Sequence, residues 1–107
     1  MIVEFETRGR VAIITLNRPE ARNAVSNELA VALEAAVDRL EDDDHLWLGI
    51  LAANGPVFSA GADLKAVASG NANLGTERGG FGGFVTRERV KPMIAAVDGF
   101  AVAGGCE

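Results

Sequence analysis

Apolar and polar residues alternate over residues 2–7 (IVEFET), the two-residue period of a half-buried strand. Arg8-Gly9-Arg10 reads as a turn and residues 11–16 (VAIITL) as a second, more buried strand, so the chain opens on a hairpin. Pro19, in Asn17-Arg18-Pro19, cannot donate to a ladder and ends it. The period then changes. Ser26 can cap a helix beginning at Asn27, and Leu29, Leu33, Val37 and Leu40 recur at spacings of four, four and three as one apolar stripe. Acids at a helix C-terminus oppose its dipole, so the run Glu41-Asp42-Asp43-Asp44 predicts a stop near Leu40 or Glu41.

Leu46–Ala53 is a continuous apolar run of strand length, predicted to be buried on both faces, and Asn54-Gly55-Pro56 is a turn. Residues 69–83 are Gly-rich, polar and aperiodic, which predicts a mobile surface loop. Phe84–Val90 is predicted as a short helix, although Val85 and Thr86 weaken it. Met93–Val97 is predicted as a buried strand introduced by Lys91-Pro92. Asp98-Gly99 is a turn, and Ala103–Glu107 looks like the opening of another helix. Two strand–helix–strand passages imply the α/β class, in one domain without internal repeats. A fully apolar strand followed by an unfinished helix predicts that residues 1–107 are the N-terminal part of a longer domain, lacking full activity alone.

Composition adds exclusions. The chain has 107 residues, with 10 Lys+Arg against 15 Asp+Glu and a formal charge of −5. At 49% hydrophobic and 23% charged it has the balance of a globular domain, not of a disordered one. An acidic chain has no electrostatic footprint for nucleic acid or anionic lipid. Cys106 is the only cysteine, so nothing points to an oxidising compartment. The charged N-terminus MIVEFETRGR opposes a signal peptide. Of the longest apolar stretches, Leu46–Ala53 is too short for a bilayer and Met93–Gly105 is broken by Asp98. A cytoplasmic protein without a membrane partner is the simplest expectation.

Several motifs carry little chemistry. His45 is the lone histidine, with no clustered metal-type ligand, and no metal site is expected. Asp42-Asp43-Asp44 lacks the spacing of a calcium loop. Gly70–Thr76 has the glycine spacing of a phosphate loop but Thr76 where the lysine must stand. Cys106 has no base partner in the sequence and reads as a small buried packing residue.

A constellation remains. Phe58-Ser59-Ala60-Gly61-Ala62-Asp63-Leu64-Lys65 strings small residues before an aspartate that can cap a short helix. Small side chains leave backbone N–H groups open to a ligand, and Gly61 permits backbone conformations that other residues resist. Gly104-Gly105 stands at the start of the second predicted helix, where N–H groups lack partners and the dipole favours negative charge. One N–H from each loop would form an oxyanion hole for charge developing on a carbonyl oxygen, where loss of one donor costs about a hundred- to a thousandfold in rate. Glu107 follows Gly104 by about 4.5 Å of helical rise, so its carboxylate can face the same cavity as a general base, its pKa raised by burial.

At these residues the sequence resembles the crotonase, or enoyl-CoA hydratase/isomerase, superfamily. The matching blocks are VAIITLNRPEARNAVS (11–26), GPVFSAGADLK (55–65) and KPMIAAVDGFAVAGGCE (91–107), in the family's order and at similar separations. The resemblance implies a spiral of ββα units making two nearly perpendicular sheets, with C-terminal helices that build homotrimers or hexamers. It implies that the N–H groups of Ala62 and Gly104 hold the thioester oxygen of an acyl-CoA. It also implies that Ala21, Arg22, Ala60, Gly61, Ala62, Asp63, Leu64 and Lys65 line the CoA channel, with the adenine near Asp63. Glu107 falls on the first of two hydratase glutamates and would activate the water added across the 2,3 double bond. The second glutamate belongs to a segment outside this sequence. No cofactor is implied beyond CoA as part of the substrate.

There are departures. Glu20 stands where several relatives carry lysine, Asp98 replaces a frequent asparagine, and Val102-Ala103 replaces a frequent Leu-Gly. Because CoA is polyanionic and the chain acidic, Arg18, Arg22 and Lys65 are the candidate cations. Enoyl-CoA hydration is the reading favoured. Isomerase, dehalogenase, carnitinyl-CoA dehydratase and hydrolase reactions share the oxyanion hole and differ in acid/base residues. A non-catalytic acyl-CoA-binding protein and a self-contained nucleotide-binding module are the readings from other classes.

Overall fold

The period-2 segments pair as the pattern requires. In the computed structural model, which describes residues 1–70 and 73–107, β1 (Val3–Arg8) and β2 (Val11–Leu16) form an antiparallel hairpin with Val3 opposite Leu16 and Arg8 opposite Val11. β3 (Leu48–Ala53) runs parallel to β2, and β7 (Met93–Ala95) parallel to β3, giving a four-stranded sheet in the order β1-β2-β3-β7. The register sets Phe5, Ile14, Leu51 and Ala95 on one face. That face packs against α1 (Asn27–Asp42), the crossover between β2 and β3.

Ser26 Oγ accepts the Leu29 N–H at 3.2 Å and caps α1. All four residues of the expected stripe are buried, joined by Ala30 and Ala36. The helix runs to Asp42, past the expected stop. Lys91 Nζ donates to the carbonyls of Leu40 and Asp43 at 2.7 and 2.6 Å, so a cation distant in sequence satisfies the helix end that the acids alone would oppose.

Further chain beyond β3 makes small pairings that position the loops. β4 (Val57–Ser59) pairs in parallel with β8 (Phe100–Ala101), and α2 (Leu64–Ala68) follows an Asp63 cap. β5 (Gly75–Thr76) and β6 (Gly80–Phe81) form a small hairpin. The expected loop over 69–83 is therefore corrected: Leu74 is buried in the core and the hairpin touches α1. Residues 71–72 of that stretch lie outside the described residues.

Other expectations also change. Phe84–Val90 is not a helix: turns end at Thr86, where Val85 N–H donates to Phe81 O and Thr86 N–H to Gly79 O, and residues 87–89 are irregular. Positive φ at Gly82 and Gly83 and the β-branched pair Val85-Thr86 disfavour helix there. Leu46 is buried, but Trp47 is 63% exposed beneath the Arg10 guanidinium and the strand begins only at Leu48. β7 ends at Ala95, short of the expected Val97, and Ile94 and Val97 are exposed, so within these 107 residues one side of the strand is uncovered. A run of apolar residues marks strand tendency without telling which faces are covered. The opening of a helix at Ala103 proves to be a single 3-10 turn, Ala103–Gly105. Among the described residues no helix is long and apolar enough to cross a membrane.

Candidate active site

Three stretches of chain meet where β2, β4 and β8 end. After β2 the chain makes a 3-10 turn, Pro19–Ala21, and then two left-handed residues, Arg22 and Asn23, both at φ 52°. Asn23 is fully buried and holds the turn from inside. Its Oδ1 accepts the Arg18 N–H at 2.8 Å, and its Nδ2 donates to the carbonyls of Asn54 and Val57 at 2.9 Å each. Asparagine tolerates the left-handed region better than most residues, so one side chain satisfies both the backbone and the interior.

Ser59 links this turn to the next loop. Its Oγ donates to Asn23 O at 2.9 Å and accepts the Gly61 N–H at 3.2 Å. Gly61 has φ 92°, a conformation that L side chains rarely adopt. Val25 N–H donates to Gly61 O at 2.7 Å and Asp63 N–H to Val25 O at 2.9 Å, which makes a parallel bridge around Ala62. In such a bridge the flanking residues bond to the partner strand, while the central residue's own N–H points the other way. The Ala62 N–H accordingly has no hydrogen-bond partner among the described residues.

The third stretch approaches from β8. Val102 N–H donates to Ser59 O at 3.1 Å. Ala103 is the other non-glycine residue with positive φ among the described residues, at 50°. Within the following turn Gly105 N–H donates to Val102 O and Cys106 N–H to Ala103 O, leaving the Gly104 N–H without a partner among the described residues. Contact between the loops is close: a Cβ on Gly61 would stand 3.0 Å from Gly104 N, and one on Gly105 would stand 2.2 Å from Ser59 O. Two open backbone donors thus lie on adjoining loops, and the three non-glycine residues in left-handed backbone among the described residues, Arg22, Asn23 and Ala103, belong to the stretches that meet there. Strained backbone of this sort, at about 1–3 kcal/mol each, concentrates at functional sites.

The Gly61/Gly104 contact stands between two hollows. One, of about 730 Å³, is lined by Arg18, Glu20, Ala21, Arg22, Ala24, Ala60, Ala62, Asp63, Leu64, Lys65 and Ala103, so the Glu20 carboxylate shares it with the cations. The other, of about 480 Å³, is mostly apolar and is lined by Phe58, Phe81, Phe84 and Met93, with Gly104, Cys106 and Glu107 at one side. The residues expected to line a CoA channel share the first hollow, except Gly61, which stands at the junction. Gly104 and Glu107 share the second.

Electrostatics refine that picture. Asp63 Oδ1 accepts the N–H groups of Lys65 and Ala66 at 3.0 and 3.2 Å, and its Oδ2 takes Arg18 Nη1 at 2.7 Å. The Arg18 hydrogen bond first, then that of the Ala66 N–H, holds the Asp63 carboxyl below the usual carboxylate range against a smaller opposing effect of burial. Arg18 Nη1 also donates to Ala24 O at 2.9 Å, so its charge ties the Ala24 turn to α2. Arg22 and Lys65 have no ion-pair partner among the described residues and remain open to an anion. Within these 107 residues Glu107 is exposed, not buried as expected, and Cys106 is exposed too rather than packed in the core. Asn23 and Ser59 escaped sequence reasoning. An Asn after an Arg carries no spacing signal, and burial of its amide depends on carbonyls more than thirty residues away.

The enoyl-CoA hydratase/isomerase family model matches residues 6–107. The chain belongs to this family. It is 44% identical to a probable enoyl-CoA hydratase of Rhizobium meliloti over 104 residues, which cover 95% of this chain and 40% of the relative. It is 38% identical to the short-chain-enoyl-CoA hydratase of Clostridium acetobutylicum, over 98% of this chain and 42% of that protein. Its fold superposes on a crystal structure of enoyl-CoA hydratase from Mycobacterium tuberculosis with a TM-score of 0.90 at 46% identity, over 98% of this chain and 41% of that one. The chain therefore has the crotonase fold and spans about two fifths of the length of the relatives it matches. The family's blocks at 11–26, 55–65 and 91–107 are the three stretches that converge on the Gly61/Gly104 contact.

Proposed function

We propose that these residues form the CoA groove and the oxyanion hole of an enoyl-CoA hydratase. The observation that carries the reading is the pair of open N–H groups, on Ala62 and Gly104, beside the contact of their loops. The CoA portion lies in the groove along Ala21, Arg22 and Ala60–Lys65, with Arg22 and Lys65 facing its phosphates. The acyl chain enters the apolar cavity, and the thioester oxygen sits between the two nitrogens. Asp63 serves chiefly to hold Arg18 and α2 in place.

In the forward reaction Glu107 takes a proton from water as its oxygen bonds to C3. The C2–C3 π electrons shift toward the thioester, and its oxygen becomes an enolate oxygen held by the two N–H groups. Fixed donors aimed at that oxygen need no reorganisation as its charge grows. A second acid, expected outside these 107 residues, protonates C2. No separate cofactor is required, because CoA is part of the substrate. Assembly as a homotrimer or hexamer and a cytoplasmic location belong to the same proposal.

Glu107→Gln in the naturally expressed protein is expected to lower kcat for a short-chain enoyl-CoA about 10²–10⁴-fold with KM little changed. Unchanged turnover would remove Glu107 from the mechanism. Isomerisation is the other reaction to separate: it uses the same oxyanion hole, taking a proton from one carbon and returning it to another. Product analysis separates the two, since hydration yields a 3-hydroxyacyl-CoA and isomerisation a shifted double bond.

A further inference from the structure

Behind the cavity wall lies a set of charges that the proposed chemistry leaves unused. Glu34, Asp38 and Glu41 follow one another on α1 at spacings of four and three, which places three carboxylates on one stripe. Residues 76–91 run along it. Thr76 Oγ1 donates to Glu34 Oε2. Arg78 Nη2 reaches both oxygens of Asp38 at 2.8 Å and Glu34 Oε1 at 3.4 Å. Arg87 Nη2 meets Asp38 Oδ1 at 2.8 Å, and the Val90 N–H donates to Glu41 Oε1 at 2.9 Å. Gly83 brings the segment against the helix itself, since a Cβ there would lie 2.4 Å from Ala30 O.

The opposite side of the same segment presents Phe81, Gly82, Phe84 and Val85 to the apolar cavity. Phe81 also lies against the oxyanion loop: a Cβ on Gly104 would be 2.6 Å from its ring. One stretch of chain therefore touches the charged stripe with one side and walls the cavity with the other.

Asp38 is the node. The Arg87 side chain is only 9% exposed, and its Nη1 is buried without a partner among the described residues. Asp38 is its only ion-pair partner among the described residues, and its Nε donates to Glu88 O at 3.2 Å. Without the Asp38 charge a buried guanidinium would lose its counter-ion, and outward movement of the segment is the direct relief. On the other side of Asp38, Arg78 is 54% exposed, so that half of the node is open to screening by salt.

We propose that Asp38, acting through Arg78 and Arg87, is a positioning residue that straps residues 76–91 to α1 and so fixes Phe81 and Phe84 as a wall of the acyl cavity. Charge on the far side of the helix then sets which acyl chains fit. The proposal rests on the assignment of this cavity to the acyl chain.

The test uses the naturally expressed protein and its Asp38→Asn, Asp38→Glu and Arg78→Gln variants. Hydrogen exchange without substrate is followed across 79–87, and kcat and KM are measured for a short-chain and a long-chain 2-enoyl-CoA. Asp38→Asn is expected to speed exchange confined to 79–87 about tenfold. It should also lower KM for the long chain relative to the short one, with kcat little changed. Asp38→Glu should restore both readouts. Arg78→Gln, at the exposed half of the node, should move them in the same direction as Asp38→Asn and keeps the test open if that variant does not fold. Unchanged exchange, exchange that rises uniformly over the chain, or KM values that move in proportion would overturn the strap. Failure of the unsubstituted protein to hydrate either substrate would count against the hydratase reading instead, and the exchange pattern alone would then decide on the strap.

Discussion

Ala62 matters through its backbone. The bridge to Val25 uses the carbonyl of Gly61 and the N–H of Asp63, so the Ala62 N–H can be removed without cutting either bond. Ala62→Pro is therefore expected to lower kcat about 10²–10³-fold, with CoA binding by calorimetry largely retained. Equal loss of both would show that the substitution acts on the loop and not on the donor. Asn23 is the opposite case, a side chain whose role is internal. Asn23→Ala orphans the Arg18 N–H and the carbonyls of Asn54 and Val57, and an unfolding free energy lower by about 1–3 kcal/mol or more is expected from denaturant titration. At this scale the sequence drew attention to two Gly-rich loops and to Glu107 by residue type and spacing, and to Ala62 only through the family resemblance. Their surroundings were not legible. Whether Glu107 is buried and which cations are free depend on contacts that no local pattern encodes; the Arg18–Asp63 pair, for instance, joins two separate motif blocks.

Elements with a long apolar period were readable. β1, β2 and α1 follow the alternation and the four-four-three stripe, because each buries one face against the other in a continuous core. Short elements were not. β5 and β6 are two residues each and hold through Leu74, Phe81 and the charges of α1, which leave no periodicity. The end of α1 was misplaced for a similar reason, since Lys91 supplies from afar what the local sequence lacks. α2 depends on one aspartate. Its carboxyl, lowered mainly by Arg18, gives stability that is complete above the ordinary carboxylate range and lost as pH falls through the depressed value. In acid unfolding, Asp63→Asn should lose stability at neutral pH and show a shallower decline below about pH 4. A decline identical to the unsubstituted protein would deny that contribution.

At the scale of the chain, the −5 charge of these 107 residues opposes a polyanionic ligand, so the proposed CoA binding must rest on local cations and on backbone donors. The fold supplies both at one place by bringing three distant blocks together, and it divides the space there into a groove beside Arg22 and Lys65 and an apolar cavity beside Glu107. A crystal structure with a bound acyl-CoA tests this arrangement most directly. The thioester oxygen should lie about 2.7–3.2 Å from the backbone nitrogens of both Ala62 and Gly104, with the acyl carbons in the cavity walled by Phe81. A thioester oxygen bonded to neither nitrogen, with the acyl chain outside that cavity, would contradict the account.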